Sequence, residues 1–144
     1  METLHTVRVI ATGGRNGRVQ SENGSIRLPL SSVGSFGTNY REGTNSEQLF
    51  GAAYGACFSG LLQLVAEQLQ IKLQPNFSVT SNVSLQKDNS SKLRLKVSLD
   101  CYLPNLTEEE ATKLIKTAHD MCPYTNAMQD NATIDIRWLN TDKE

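Results

Sequence analysis

Apolar and polar positions change period several times along the chain, and each change predicts an element. Val7 and Val9 alternate with Arg8 within residues 4–11, the mark of a strand. TGGRNGR, residues 12–18, carries an Asn-Gly pair and reads as a turn. A second pair, Asn23-Gly24, separates 18–21 from 25–30 and predicts a hairpin. Residues 31–44 are rich in Gly, Ser, Asn and Thr, a long loop of the kind that often carries function. Helical spacing then takes over across 45–70, through Phe50, Tyr54, Cys57, Leu61, Val65 and Leu69. Asn45 or Ser46 can cap this helix, and Glu47 suits its first turn. Gly51, Gly55 and Gly60 each cost a helix roughly 1 kcal/mol relative to Ala. They predict close approach of another element or another subunit.

Period two returns in 77–85 and 93–101, joined by KDNSSK, with one dry and one wet face each. That pattern predicts an antiparallel sheet covered on one side. Thr107 with Glu110 matches a capping box and opens a helix to about residue 121. Pro123 suits the first position of a short helix, and Ile134, Ile136 and Trp138 alternate in a last strand. The order β-β-β-α-β-β-α-α-β predicts the α+β class. With no repeat, linker or low-complexity tract, residues 1–144 read as a single domain.

Composition narrows the function classes. The formal net charge of −1 gives no electrostatic case for nucleic acid or an anionic membrane. The first residues lack a basic segment followed by an apolar one, and the nearly apolar run 51–62 is too short to span a bilayer. A cytoplasmic protein is expected. Three cysteines, an odd number without an export signal, argue against a secreted disulfide framework. There is no CxxC pair, and the two histidines lack zinc-finger spacing, so no metal site is expected.

The cysteines differ in setting. Cys101 is in phase with Leu95, Val97 and Leu99 and reads as a small buried hydrophobe. Cys57 lies on an apolar helical stripe. It is either a core thiol, inert because burial raises its pKa, or a reactive thiol that needs a nearby cation. Arg15, Arg18 and Arg41 are the candidates on glycine-bearing segments. Cys122 precedes Pro123 at a junction of helices. There it either packs or is favoured as thiolate by the free N–H groups of a helix start.

Three segments then occur in order: ATGGRNGRV, GTNSEQLFGAAYGACF and AHDMCPYTNA. Together they resemble the organic hydroperoxide resistance (Ohr) branch of the OsmC/Ohr superfamily, over essentially the whole chain. Ser46, Gly51 and Thr125 stand where that family commonly has proline, alanine and serine; none of these removes a catalytic group. The resemblance implies a bacterial thiol peroxidase that reduces organic hydroperoxides, alkyl or fatty-acid, to alcohols without a cofactor. It implies an intertwined homodimer of α+β subunits, with antiparallel sheets enclosing central helices. Residue by residue, Cys57 matches the peroxidatic cysteine, Cys122 the resolving cysteine, Arg15 the activating arginine and Glu47 its acidic partner. A Cys57–Cys122 disulfide, recycled by a dithiol such as a lipoylated protein, follows from the same resemblance.

The chemistry suits those residue types. An ordinary thiol has a pKa of about 8.5, so little is thiolate at neutral pH. A positive charge within about 4–6 Å lowers such a pKa by roughly 1–3 units. A guanidinium can also stabilise the leaving oxygen, and Glu47 would orient it. One tension stands out: Glu47 and Cys57 are ten residues apart, about 15 Å along one straight helix. A shared cluster needs a helix break near 51–55, a long arginine reach, or both subunits. Phe36, Tyr40, Tyr54, Phe58 and Tyr124 are candidates for an apolar substrate pocket. Three other functions remain open: an OsmC-branch peroxidase with a different peroxide range, a non-enzymatic redox-sensing or binding module, and a structural dimer whose cysteines only pack.

Overall fold

Short strands joined by glycine turns build the start of the chain. A computed structural model describes residues 1–31 and 43–140. It places β1 at Val9–Thr12, β2 at Arg18–Ser21 and β3 at Arg27–Pro29. All three pair antiparallel in the order β1-β2-β3. β1 is shorter than the alternation of 4–11 predicts, because its partner runs out. Val9 pairs with Ser21, and Ser21 already opens the turn through Asn23 and Gly24. β1 and β3 are exposed along their lengths, and Val19 and Ser21 are the buried positions of β2.

The chain divides into two compact units, Met1–Leu49 and Phe50–Glu144. The division falls in the first turn of α1 (Ser46–Leu69). The second unit then adds β4 (Ser78–Lys87), β5 (Leu93–Tyr102), α2 (Glu108–Met121), α3 (Pro123–Met128) and β6 (Thr133–Leu139). This is the α+β order that the sequence pattern predicts.

β4 and β5 pair antiparallel from Ser78–Tyr102 to Lys87–Leu93. Their turn is tied by Asp88, whose carboxylate accepts from the Ser90 hydroxyl, the Ser90 and Lys92 amides and Arg94. The Ser90 hydroxyl leads these bonds in holding the Asp88 carboxyl down at about 2. β6 departs from the antiparallel expectation: it lies parallel to β5, with Val97 opposite Ile134 and Cys101 opposite Trp138. The physical reason is the return path. α2 and α3 carry the chain back along the sheet, as a parallel neighbour requires.

The dry face of this sheet carries Val79, Val83, Val97, Leu99, Cys101, Ile136 and Trp138, and α1 and α2 pack in the same core. Close approach is visible at two glycines. A Cβ at Gly51 would stand 3.3 Å from Val83 Cγ2, and one at Gly55 only 2.9 Å from Ser81 Oγ. α1 is long and apolar enough to cross a membrane by length and composition alone. However, Tyr54, Phe58, Leu62 and Val65 are fully closed off in the core, so it is a core helix. Each such large side chain contributes roughly 1.5–3 kcal/mol. α2 opens on the expected capping box: Thr107 Oγ1 accepts from the Glu110 amide and Glu110 Oε1 accepts from the Thr107 amide. It buries Ala111, Leu114 and Ala118. On the other face of the sheet Asp100 is buried, paired with Arg137 at 2.6 Å and accepting from Asn82.

Candidate functional site

α1 and the α2–α3 junction bring two thiols together. Cys57 is half-buried on α1, and Cys122 is fully buried. Cys122 is both the C-cap of α2 and the N-cap of α3, with an extended backbone, φ −71° and ψ 120°. Its amide donates to the His119 carbonyl at 3.3 Å, and its own carbonyl accepts from the Asn126 amide at 2.9 Å. Pro123 at the first helical position has no N–H to satisfy. Burial pushes the Cys57 thiol up, and Cys122 adds to this through its charge and through a hydrogen bond between the two side chains. These influences all favour the neutral thiol. Activation therefore has to come from a positive charge.

Tyr54 lies one turn before Cys57 and is sealed from solvent. Its hydroxyl is hydrogen-bonded to Thr125 Oγ1 at 2.6 Å. Burial raises the phenol's pKa, the bond to Thr125 works against this, and Cys122 and Cys57 push it further up. The Tyr54 ring stacks on Tyr124 at 5.6 Å, and Phe50 meets both rings edge-on at 6.0 and 6.1 Å. Of the pocket candidates, Tyr54 and Phe58 are fully buried and Tyr124 is half-buried. Phe36 and Tyr40 lie outside the described residues. Thr125 and Phe50 were not singled out for the site by spacing. Thr125 could have been found from its place three residues after Cys122, and Phe50 from its place one turn before Tyr54.

In the first unit, Arg15 stands in a 3-10 turn, Gly14–Asn16, between β1 and β2. Gly13 takes φ 75° at its start, and a Cβ at Gly17 would collide with the Thr12 carbonyl. Glycine is thus required on both sides of the arginine. Asn45 caps α1 by accepting from the Gln48 amide at 2.8 Å. Ser46, one residue inside, donates its hydroxyl to Glu47 at 3.1 Å. α1 is continuous from Ser46 to Leu69, so no helix break shortens the distance from Glu47 to Cys57. His119 sits in the last turn of α2 and lines a groove with Ile136 and Trp138. Cys101 is fully buried, and burial, helped by Asp100, pushes its thiol up to about 12. Among the described residues no group of three or more His, Cys, Asp or Glu could hold a metal ion.

The profile of the OsmC-like protein family matches residues 37–137. The chain belongs to the OsmC/Ohr family. Within it, the organic hydroperoxide resistance protein of Xanthomonas axonopodis pv. citri (strain 306) is 35% identical over 135 residues, 94% of either chain. OhrA of Bacillus subtilis (strain 168) is 36% identical over 137 residues, covering 94% of this chain and 96% of its own. The crystal structure of an organic hydroperoxide resistance protein from Elizabethkingia anophelis superposes with a TM-score of 0.90 at 37% identity. It covers 98% of this chain and 100% of its own. OsmC/Ohr membership, expected from the three sequence motifs, is thereby established along with the α+β fold.

Proposed function

We propose that this chain reduces organic hydroperoxides, alkyl or fatty-acid, to alcohols with Cys57 as nucleophile and Cys122 as resolving thiol. The observation that carries the reading is that half-buried Cys57 on α1 and buried Cys122 at the α2–α3 junction are near enough for Cys122 to raise the Cys57 thiol. The names of the relatives, organic hydroperoxide resistance proteins, point the same way. The Cys57 thiolate attacks the O–O bond, the alkoxide leaves and takes a proton, and Cys57 becomes a sulfenic acid. Cys122 displaces the sulfenic hydroxyl as water and closes the disulfide. A dithiol, such as the lipoyl group of a lipoylated protein, then reduces it by exchange.

Arg15 supplies the positive charge that the buried thiol needs, and Glu47 orients it. The helix is unbroken, which leaves the arginine's own reach or a second copy to bring these groups together. A homodimer is part of the reading. Val9, Ile10, Ile26 and Leu28 of the first unit are exposed, apolar surface of the kind that a second copy would cover. Ala52, Ala56 and Gly60 line one exposed edge of α1. The rings of Phe50 and Tyr124 offer an apolar wall to the alkyl part of the substrate. Both units together form one domain of the family type, and the reaction is placed in the cytoplasm, where free thiols persist.

The test adds one equivalent of cumene or tert-butyl hydroperoxide to reduced protein, followed by non-reducing peptide mapping. Cys57 joined to Cys122 with Cys101 still a thiol is the expected result. Both reactive cysteines unchanged would overturn the proposal. Hydrogen peroxide and a fatty-acid hydroperoxide in the same assay separate the Ohr from the OsmC peroxide range.

A further inference from the structure

Two side chains beside the thiols have a geometry that the reaction above does not use. Tyr54 stands three residues before Cys57, and Thr125 stands three residues after Cys122. Tyr54 is fully buried and Thr125 is 1% exposed. Their hydroxyls share a 2.6 Å hydrogen bond across 71 residues of sequence. Sealed hydroxyls need a partner, and losing one end leaves the other unsatisfied.

The Cys122 junction is tied to its own helices through its backbone, by the bonds to His119 and Asn126, but not through its side chain. It is a single extended residue between two helices, its side chain makes no capping bond, and Pro123 removes one amide. Its orientation depends on contacts with α1. These are the thiol contact with Cys57, the stacking of Tyr54 on Tyr124, and the Tyr54–Thr125 bond. The last is the directional one between permanent partners, since the thiol contact changes at every turnover. We propose that the Tyr54–Thr125 hydrogen bond is a brace that holds Cys122 on Cys57. Both are positioning residues for the disulfide-forming step. The inference rests on the peroxidase reading above.

The brace governs a competition. Cys57–SOH and Cys122–SH condense to the disulfide, the sulfenic hydroxyl leaving with the thiol proton as water. A second hydroperoxide instead oxidises Cys57–SOH to the sulfinic acid and itself leaves as alcohol, a loss that is not recovered by dithiols. The outcome depends on how much of the time Cys122 stands at Cys57. Thr125→Val keeps the volume and removes the hydroxyl. Tyr54→Phe keeps the stacked ring and removes the other end. Each is expected to lower the ratio of disulfide to sulfinic acid roughly 2- to 10-fold under excess cumene hydroperoxide. Thr125→Ser, which restores the hydroxyl, is expected to return the ratio to that of the parent. The double variant is expected to be no worse than the more severe single one, as for two ends of one bond.

Rapid quenching and intact-mass analysis count thiol, disulfide and sulfinic acid in each protein. A parent protein that forms no Cys57–Cys122 disulfide overturns the peroxidase reading and the brace with it. A parent that forms it, beside Thr125→Val and Tyr54→Phe variants with the same ratio, overturns the brace alone. Equal slowing of hydroperoxide attack and disulfide closure in both variants also overturns it, because a loosened core would slow both.

Discussion

The three cysteines differ because of what surrounds each sulfur: Cys101 and Cys122 are buried in the core and Cys57 is half-buried on α1. Cys101 is enclosed between Val79 and Trp138 in the sheet register, with Asp100 as its neighbour, and its thiol is pushed up to about 12. An unfolded cysteine ionises near 8.5. Between those two values the unfolded chain has lost the proton and the folded chain has kept it. The Cys101 contribution to stability is therefore complete below about pH 8.5 and falls as pH rises, by about 1.4 kcal/mol per pH unit. Urea denaturation at pH 8.5 and 10 should show a steeper loss for the parent than for Cys101→Val. Identical pH slopes would refute this account. Cys57 is also pushed up by burial and by Cys122, which makes the cation decisive. If Arg15 is that cation, Arg15→Ala lowers the rate of hydroperoxide attack at pH 7 roughly 10- to 10³-fold, with recovery towards alkaline pH. Arg15→Lys retains the charge but loses the fork of donors and should fall between. Stopped-flow rates against pH are the check, and a profile unmoved by Arg15→Ala would remove the arginine from the site.

The glycines of α1 separate into classes at the level of elements. A methyl at Gly55 meets Ser81 Oγ at 2.9 Å, whereas at Gly60 it meets nothing within 4 Å. Gly55→Ala is expected to cost about 1–3 kcal/mol through overpacking. Within one chain Gly60→Ala is expected to gain about 0.5–1 kcal/mol from helix propensity, a gain that a second copy packed on that edge of α1 would reduce or reverse. A Gly55→Ala protein as stable as its parent, by denaturant midpoint at constant slope, would show that α1 does not need that close approach. Much of the element plan was legible because it depends on neighbours in sequence. The capping box at Thr107 and Glu110, the Asn-Gly hairpin and the period of α1 all involve residues within a few positions of one another. The start of β1 was not legible, since a strand ends where its partner ends. Nor was the parallel seat of β6: alternation marks its faces and says nothing of its direction. The face of Asp100 is a further case, buried beside Arg137 on a side that the polar alternation assigns to solvent.

For the molecule as a whole, the site was legible in part. Periodicity left Cys57 and Cys122 as separate puzzles, and the motif company around them suggested their pairing. The thiol contact comes from packing α1 against the α2–α3 junction, a long-range relation that no local period encodes. Arg15 and Glu47 belong to a different unit from the thiols; the period of α1 runs from Glu47 to Cys57 but only sets them about 15 Å apart along the axis, and no repeat reaches Arg15. If two copies complete the site, sedimentation should give about twice the 15.9 kDa of one chain, and activity should decline on dilution as the copies part. A fully active monomer would exclude a site shared between subunits.

Trp138 is the single tryptophan of the chain, on β6 opposite Cys101 and packed against the core of the second unit. The protein thus carries its own optical label for one unit. Tryptophan emission follows the loosening of the β4-β5-β6 sheet, whereas far-ultraviolet circular dichroism averages over the whole backbone. Coincident midpoints in denaturant would mean that both units unfold as one cooperative body. An earlier dichroism transition would mean that the first unit melts while the tryptophan still sits in a folded core, and the same emission could then follow that core through the redox cycle.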